Sequence, residues 1–337
     1  MHSPDTTAKI TGGNMIDRKQ KVVLGGLPQK IHIKTENEAN PVLLFLHGGP
    51  GVCNRHTILK DHADLAKVFT VVAWDQRGSG GSYWGAKAET LTVDQMVADA
   101  NELVGWLCAT FHKDKVFIIG GSWGSELGTY LAFRHPEKIA AYVGFGQVVN
   151  GAKNEEISYN FAMEEALKAG DEKSVAILKK VGPPEKGVYK GGFSGMMAQR
   201  RIMMKYGGYS QNAKKRSYFR SFVIPVFLSG EYSVSDLIGL MIGYKFVLTH
   251  MWSAVGETDF PKTCTKFATP FFVFDGVLDQ NTPASLVQEW FDSIEAPQKE
   301  LIWFENSGHN PMGDEPERFK KLLIDRLKTV AGKEKNV

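Results

Sequence analysis

The chain has 337 residues, of which 43% are hydrophobic and 23% charged, and its formal net charge is +3. That length is enough to bury a large core, as one domain with an insertion or as two domains. The net charge is too small to suggest a nucleic-acid partner.

The first fourteen residues, Met1 to Asn14, are polar and contain no apolar signal core. Met1 to Asp17 reads as a mobile start and Gly332 to Val337 as a mobile end. Two β-type runs follow, Lys21 to Leu24 and Gln29 to Lys34, joined by a turn at Gly25-Gly26-Leu27-Pro28. Pro41 to Leu46 is an unalternating apolar run, the pattern of a strand buried on both faces. Phe69 to Trp74, Lys115 to Ile119, Ala140 to Phe145, Pro270 to Phe274 and Glu300 to Phe304 share that character. Helical patterns separate them at Arg55 to Lys67, Val93 to Phe111, Ser125 to Arg134, Ala284 to Ile294 and Pro316 to Val330. Thr92 and Gln95 have the spacing of a capping box. Strands alternating with helices predict a mostly parallel sheet covered on both sides, eight strands in all.

The alternation stops between about Asn150 and Thr265. Helices are predicted there at Glu155 to Ala169, Glu172 to Val181, Gly195 to Lys205 and Val234 to Trp252. Phe222, Phe227, Tyr232, Tyr244, Phe246, Met251 and Trp252 make the stretch aromatic. It reads as a helical cap, residues 150–265, inserted into a core of residues 18–149 and 266–331. By count, residues 151–265 hold about 16 Lys and Arg against about 11 Asp and Glu. The cluster Lys214-Lys215-Arg216 is most simply a solvated face.

Three widely spaced cysteines, Cys53, Cys108 and Cys264, lack metal-ligand spacing and point to a reducing compartment without a disulfide framework. The longest apolar run, Leu237 to Leu248, is shorter than the ~20 residues of a membrane span and contains Lys245. A cytoplasmic protein with no membrane or nucleic-acid partner is expected, with oligomeric state unassigned.

The chemistry is concentrated in three glycine loops. Gly120-Gly121-Ser122-Trp123-Gly124 follows a strand and precedes a helix, the context in which G-x-S-x-G becomes a nucleophile elbow. A serine on so tight a turn takes strained backbone angles, and small neighbours relieve the crowding. His47-Gly48-Gly49-Pro50-Gly51 follows the strand ending at Leu46 and has the makings of an oxyanion loop, with Gly49 as the chosen donor beside the Trp123 amide. His47 is read as a brace of that loop. In Asp75-Gln76-Arg77-Gly78-Ser79-Gly80, Asp75 and Arg77 are read as a structural pair or loop brace. An activated serine also needs a base and an orienting acid. Asp279 and His309 each follow a strand, in the order serine, acid, histidine. Asp275 is the rival acid, because it sits at the strand end itself. No metal-binding spacing and no dinucleotide fingerprint is present.

Together these three loops resemble the prolyl iminopeptidase-like branch of the α/β-hydrolase superfamily. The resemblance covers residues 20–150 well and 265–330 moderately. It implies an α/β-hydrolase fold with Ser122 as nucleophile, His309 as base, Asp279 as acid and oxyanion amides from Gly49 and Trp123. It implies no metal or cofactor, and a small-molecule or short-peptide substrate in a pocket shaped by the cap. In the peptidases, acidic cap residues hold the substrate's free amine. Glu155, Glu156, Glu164, Glu165, Glu231 and Glu257 are candidates for that role, with Glu231, Tyr232 and Trp252 the expected substrate contacts. The loop Gly276-Val277-Leu278-Asp279 departs from the Arg-Tyr that usually precedes the peptidases' aspartate. Three functions follow: an aminopeptidase, a carboxylesterase or amidase for a small apolar acyl compound, and a non-catalytic binding protein on the same scaffold.

Overall fold

The computed structural model describes residues 15–210 and 224–334. Eight strands form one sheet: β1 (Ile16–Leu24), β2 (Leu27–Thr35), β3 (Val42–Leu46), β4 (Thr70–Trp74), β5 (Val116–Gly121), β6 (Ile139–Phe145), β7 (Phe271–Gly276) and β8 (Lys299–Phe304). Their order across the sheet is β1-β2-β4-β3-β5-β6-β7-β8. β2 pairs antiparallel with both β1 and β4, and every other pairing is parallel. β3 and β4 are buried at every position, so their apolar runs need no polar alternation.

The helices are α1 (Val93–Phe111), α2 (Trp123–Arg134), α3 (Gly151–Lys168), α4 (Glu172–Val181), α5 (Phe193–Lys205), α6 (Ile224–Leu228), α7 (Val234–Gly256), α8 (Phe260–Thr263), α9 (Ala284–Ser293), α10 (Pro311–Asp314) and α11 (Pro316–Glu334). Successive strand residues face opposite sides of the sheet. Leu44 and Leu46 join an apolar layer with Leu103 of α1, Leu127 of α2 and Trp290 of α9. Leu43 and Phe45 join the opposite layer with Phe319 and Leu323 of α11. Among the described residues between β6 and β7 no strand joins the sheet. That helical insert has its own small core, including Tyr159, Ala162, Leu178 and Met203.

Several local expectations are corrected. β1 starts at Ile16, so Ile16 and Asp17 belong to the sheet edge, and α11 carries the chain to Glu334. Met1 to Asn14, Lys214-Lys215-Arg216 and Phe222 lie outside the described residues. Arg55 to Lys67 is not one α-helix but a π-turn, Thr57–Asp61, followed by a 3-10 turn, Ala63–Lys67. His62 breaks the run at φ −121, where its ring Nε2 lies 3.1 Å from the Met312 carbonyl oxygen. Thr92 caps α1 by accepting from Gln95 N, but the Gln95 side chain turns away to Asp99. A complete capping box forms instead at Ser233 and Asp236, at the start of α7.

Helix α7 is 23 residues long and contains an 18-residue stretch with a mean hydropathy of 1.2, enough by length and composition to cross a membrane and longer than the apolar run read from the sequence. In this structure it presses directly on the loop after β4. A methyl group added at Gly239 or Gly243 would sit 2.1 Å from the Gly80 oxygen or 2.3 Å from the Gly78 oxygen. The three cysteines are free thiols, and burial pushes that of Cys53 well up.

Candidate functional site

β5 ends in a turn that leaves almost no room. A methyl group added at Gly120 would lie 2.1 Å from the Gly124 oxygen, and one at Gly124 would lie 2.0 Å from the Leu46 oxygen. Only glycine permits that approach of strand, turn and helix. Ser122 sits between them at φ 55, ψ −126, a left-handed conformation that costs a side-chain-bearing residue on the order of 1–3 kcal/mol. The surroundings hold it there. Ser122 N donates to the Phe145 carbonyl at 3.0 Å, and the Ser122 carbonyl accepts from Ser125 N and Ser125 Oγ. The Ser122 hydroxyl caps no amide of α2 and faces a cavity of about 950 Å³.

His309 lines the same cavity and is otherwise buried. Its Nδ1 lies 2.8 Å from Asp279 Oδ2 and 3.0 Å from Thr282 Oγ1. The Thr282 hydroxyl donates to Asp279 Oδ2 at 2.6 Å, and the amides of Asn281 and Thr282 donate to Oδ1. Asp279 is thus fixed by the loop it begins. Asp275 faces elsewhere: its carboxylate accepts from the amides of Gly146, Gln147 and Gly276. Burial and the neighbouring Asp279 raise its carboxyl well above the ordinary range. Of the two acids weighed from the sequence, Asp279 is the one against the imidazole.

The loop after β3 passes beside Ser122. A methyl group at Gly48 would stand 3.1 Å from Ser122 Cβ, and Gly49 takes φ +121, which disfavours any other residue. Gly49 and Trp123 both line the cavity. As the first residue of α2, Trp123 has an amide with no intrahelical acceptor. His47 sits behind this loop. Its Nδ1 lies 2.9 Å from the Gly48 carbonyl oxygen, and its Nε2 accepts from Gln76 N. Burial lowers its pKa to about 4, so at neutral pH it is an uncharged brace. Gln76, given no role from the sequence, ties three pieces together: its side chain donates to the His47 carbonyl and accepts from the Trp123 indole.

Asp75 and Arg77 do not pair with each other. Asp75 binds Arg55 at 2.6 Å, while Arg77 grips Asp99 of α1. Each finds a partner distant in sequence. Arg55 continues to Asp236 and to the Glu231 carbonyl, linking the core to the start of α7.

The expected substrate contacts separate. Trp252 lines the cavity, its Nε1 donating to the Gly187 carbonyl. Glu231 and Tyr232 are absent from its lining. The Glu231 carboxylate is buried against His32 and lies 3.5 Å from both Lys19 and Lys60; against the opposing effect of burial, the hydrogen bond with His32 and then the two lysines draw its pKa down to about 2. The Tyr232 hydroxyl donates to the Cys53 carbonyl, and its ring lies under Arg55. Residues distant in sequence, His32, Lys19 and Lys60, surround the Glu231 carboxylate instead. The charged residues that do line the cavity include Glu155 and Arg200, which form an ion pair with each other. Among the described residues no group of three or more His, Cys, Asp or Glu side chains is arranged to hold a metal ion.

The family described as the alpha/beta hydrolase fold matches residues 41–180, which run from β3 through the elbow into the insert. The chain has the α/β-hydrolase fold. Its sequence is 28% identical over 309 residues to the probable aminopeptidase YbaC of Bacillus subtilis, covering 90% of this chain and 94% of that protein. The proline iminopeptidase of Neisseria gonorrhoeae is 37% identical over 123 residues, 34% of this chain and 36% of that one. The chain also superposes on the crystal structure of proline iminopeptidase from Mycobacterium smegmatis with a TM-score of 0.63 at 18% identity, over 93% and 98% of the two chains. Within the superfamily, its likeness therefore runs to the prolyl iminopeptidase-like branch.

Proposed function

We propose that this hydrolase is a serine enzyme working through an acyl-enzyme. The observation that carries the reading is one cavity shared by a serine held at φ 55 and an imidazole whose Nδ1 meets a buried aspartate at 2.8 Å. His309 Nε2 takes the Ser122 proton as Oγ attacks an ester or amide carbonyl. The oxyanion rests on the amides of Trp123 and Gly49, each such donor contributing on the order of 2.7–4 kcal/mol. The proton on Nε2 then passes to the leaving oxygen or nitrogen as its bond to carbon breaks. Water, deprotonated by the same nitrogen, attacks the acyl-enzyme and restores Ser122.

For the substrate, release of an N-terminal residue from a short peptide is the reading supported by the likeness to an aminopeptidase along most of the chain. The helical insert, residues 150–265 in this reading, acts as the cap over the cavity. A second reading, a carboxylesterase or amidase for an apolar acyl group, is favoured by one feature of the cavity. Glu155, the lining carboxylate from the insert, is already neutralised by Arg200, whereas an amine subsite needs a carboxylate for the substrate's ammonium.

Fluorophosphonate labelling and turnover of a small aryl ester test the mechanism. Ser122→Ala is expected to abolish labelling and lower kcat by about six decades; both surviving the substitution would refute it. Comparing aminoacyl arylamides with and without N-acetylation separates the substrate readings. Loss of turnover on acetylation supports the peptidase, and indifference supports the esterase. Ligand binding without turnover of any ester would point to a non-catalytic binding protein.

A further inference from the structure

The Nε2 of His309 already has a partner: Asn281 Nδ2 lies 3.1 Å away. We propose that Asn281 is a positioning residue for His309, holding Nε2 in the resting protein and releasing it to Ser122 when substrate arrives. The proposal rests on the serine-hydrolase reading given above.

Hydrogen-bond chemistry fixes what this contact is. Asp279 Oδ2, 2.8 Å from Nδ1, offers only lone pairs, so Nδ1 carries the ring proton. The neutral ring then has a bare lone pair on Nε2 and can only accept there. Of the two ends of the Asn281 amide, only the NH2 group can serve it. The tautomer set by Asp279 thus decides which way the amide faces.

The contact belongs to a closed loop. The Asn281 backbone amide donates to Asp279 Oδ1 at 2.7 Å, so one residue grips the acid with its main chain and the imidazole with its side chain. The Tyr209 ring, 4.9 Å between centroids, and the Gly146 backbone pack against the imidazole. Asn281 lines the cavity with Ser122 and is half-buried, so its side chain has room to turn.

The consequence follows the proton. Once Nε2 has taken the Ser122 proton it is a donor, and an NH2 group facing it is the wrong partner. Turning the amide over presents Oδ1, an acceptor. The same side chain therefore suits both protonation states and exchanges no proton itself. The proton travels from Oγ to Nε2 to the leaving group.

Asn281→Ala keeps the backbone bond to Asp279 and removes only the amide. Histidine 15N spectra of Asn281→Ala, recorded in the Ser122→Ala background and compared with Ser122→Ala alone, are expected to show the His309 Nε2 resonance moving while Nδ1 stays. In the otherwise wild-type enzyme, Asn281→Ala is expected to lower kcat about tenfold with KM within about twofold, the pattern of lost positioning rather than lost substrate contact. Asn281→Asp, which cannot donate to the lone pair, should lower kcat further, by about a hundredfold. An unmoved Nε2 resonance, both ring nitrogens moving together, or a rise in KM at constant kcat would overturn the proposal. Because the spectra need no turnover, they decide the Asn281 contact even if Ser122→Ala retains ester hydrolysis and the serine mechanism itself falls.

Discussion

The sheet core and the helical insert are held together by different physics. In the core, chain segments approach so closely that single atoms decide the residue, as where Gly124 leaves no space for a methyl group against Leu46. Its central strands, β3 to β7, are buried throughout, and its polar groups at the site are tied into bonds that leave them one orientation. The insert is built from Met, Tyr and Leu packed around a small cluster of its own. It exposes apolar side chains at Phe227, Leu228, Val234 and Met241. The over-determined region is the one that holds Ser122, Asp279 and His309. The under-determined region shapes the cavity wall, where many sequences would serve.

The sharpest way to break this contrast is at the two acids of the core. Asp279→Asn is expected to lower kcat by about four decades, because the amide leaves the imidazole in the wrong tautomer. Asp275→Asn should behave oppositely. It keeps the contacts of His309 but disturbs the carboxylate that gathers the Gly146, Gln147 and Gly276 amides. Its expected cost is about 1–3 kcal/mol of stability with a far smaller loss of rate. Steady-state kinetics and urea midpoints read the two effects separately. If Asp275→Asn is the more damaging to kcat, the acid is misassigned.

In the insert, the corresponding test is Arg200→Met. It strands the Glu155 carboxylate in a buried site, and removing one partner of such a pair costs about 3–5 kcal/mol. Replacing both partners by apolar residues should recover most of that loss. The single variant also sharpens the substrate question, since it frees a carboxylate beside the cavity. Turnover of free-amine arylamides should rise relative to N-acetylated ones. An unchanged ratio would mean that Glu155 does not reach the substrate.

What was legible in the sequence follows the same division. All eight strands and the elbow could be read because buried strands and glycine turns impose residue types locally. The order of Asp279 and His309 was readable because each follows a strand. Partners were not readable where they are set by packing. Asp75 and Arg77 are two residues apart yet bind Arg55 and Asp99. Glu231 was expected to contact substrate, and β2 supplies His32 to bury it away from the cavity. Gln76, Thr282 and Asn281 are common polar residues whose roles appear only when three loops meet. The Arg55 to Lys67 run has helical composition, but the ring of His62 is drawn to Met312, 250 residues away, and the turn opens.

The smallest expected effect lies at the seam between the two regions. Glu126 of α2, four residues past Ser122, is fully buried, and burial pushes its carboxyl up to about 8. Its Oε1 accepts from the Thr258 hydroxyl at 2.6 Å. Thr258 follows α7, and its carbonyl accepts from Gly151 N at the start of α3, so both chain crossings between core and insert meet here. The folded protein keeps this carboxyl protonated at pH values where the unfolded chain, near its ordinary 4.5, has released the proton. Folding therefore binds protons between about pH 4.5 and 8, and stability falls as pH rises through that window. At about 1.4 kcal/mol per pKa unit, the loss at pH 7 is on the order of 3 kcal/mol. Glu126→Gln keeps the shape and removes the titration. Its urea midpoint should lie close to that of the wild type near pH 5 and above it by a margin that grows toward pH 8. Parallel curves across that range would show that Glu126 is ionised in the fold. If the margin appears, hydrogen exchange can locate it. Amides of α3 and α7 exchanging faster in the wild type at pH 8, with those of β5 unchanged, would mean that the charge loosens the insert from the core before the core itself gives way.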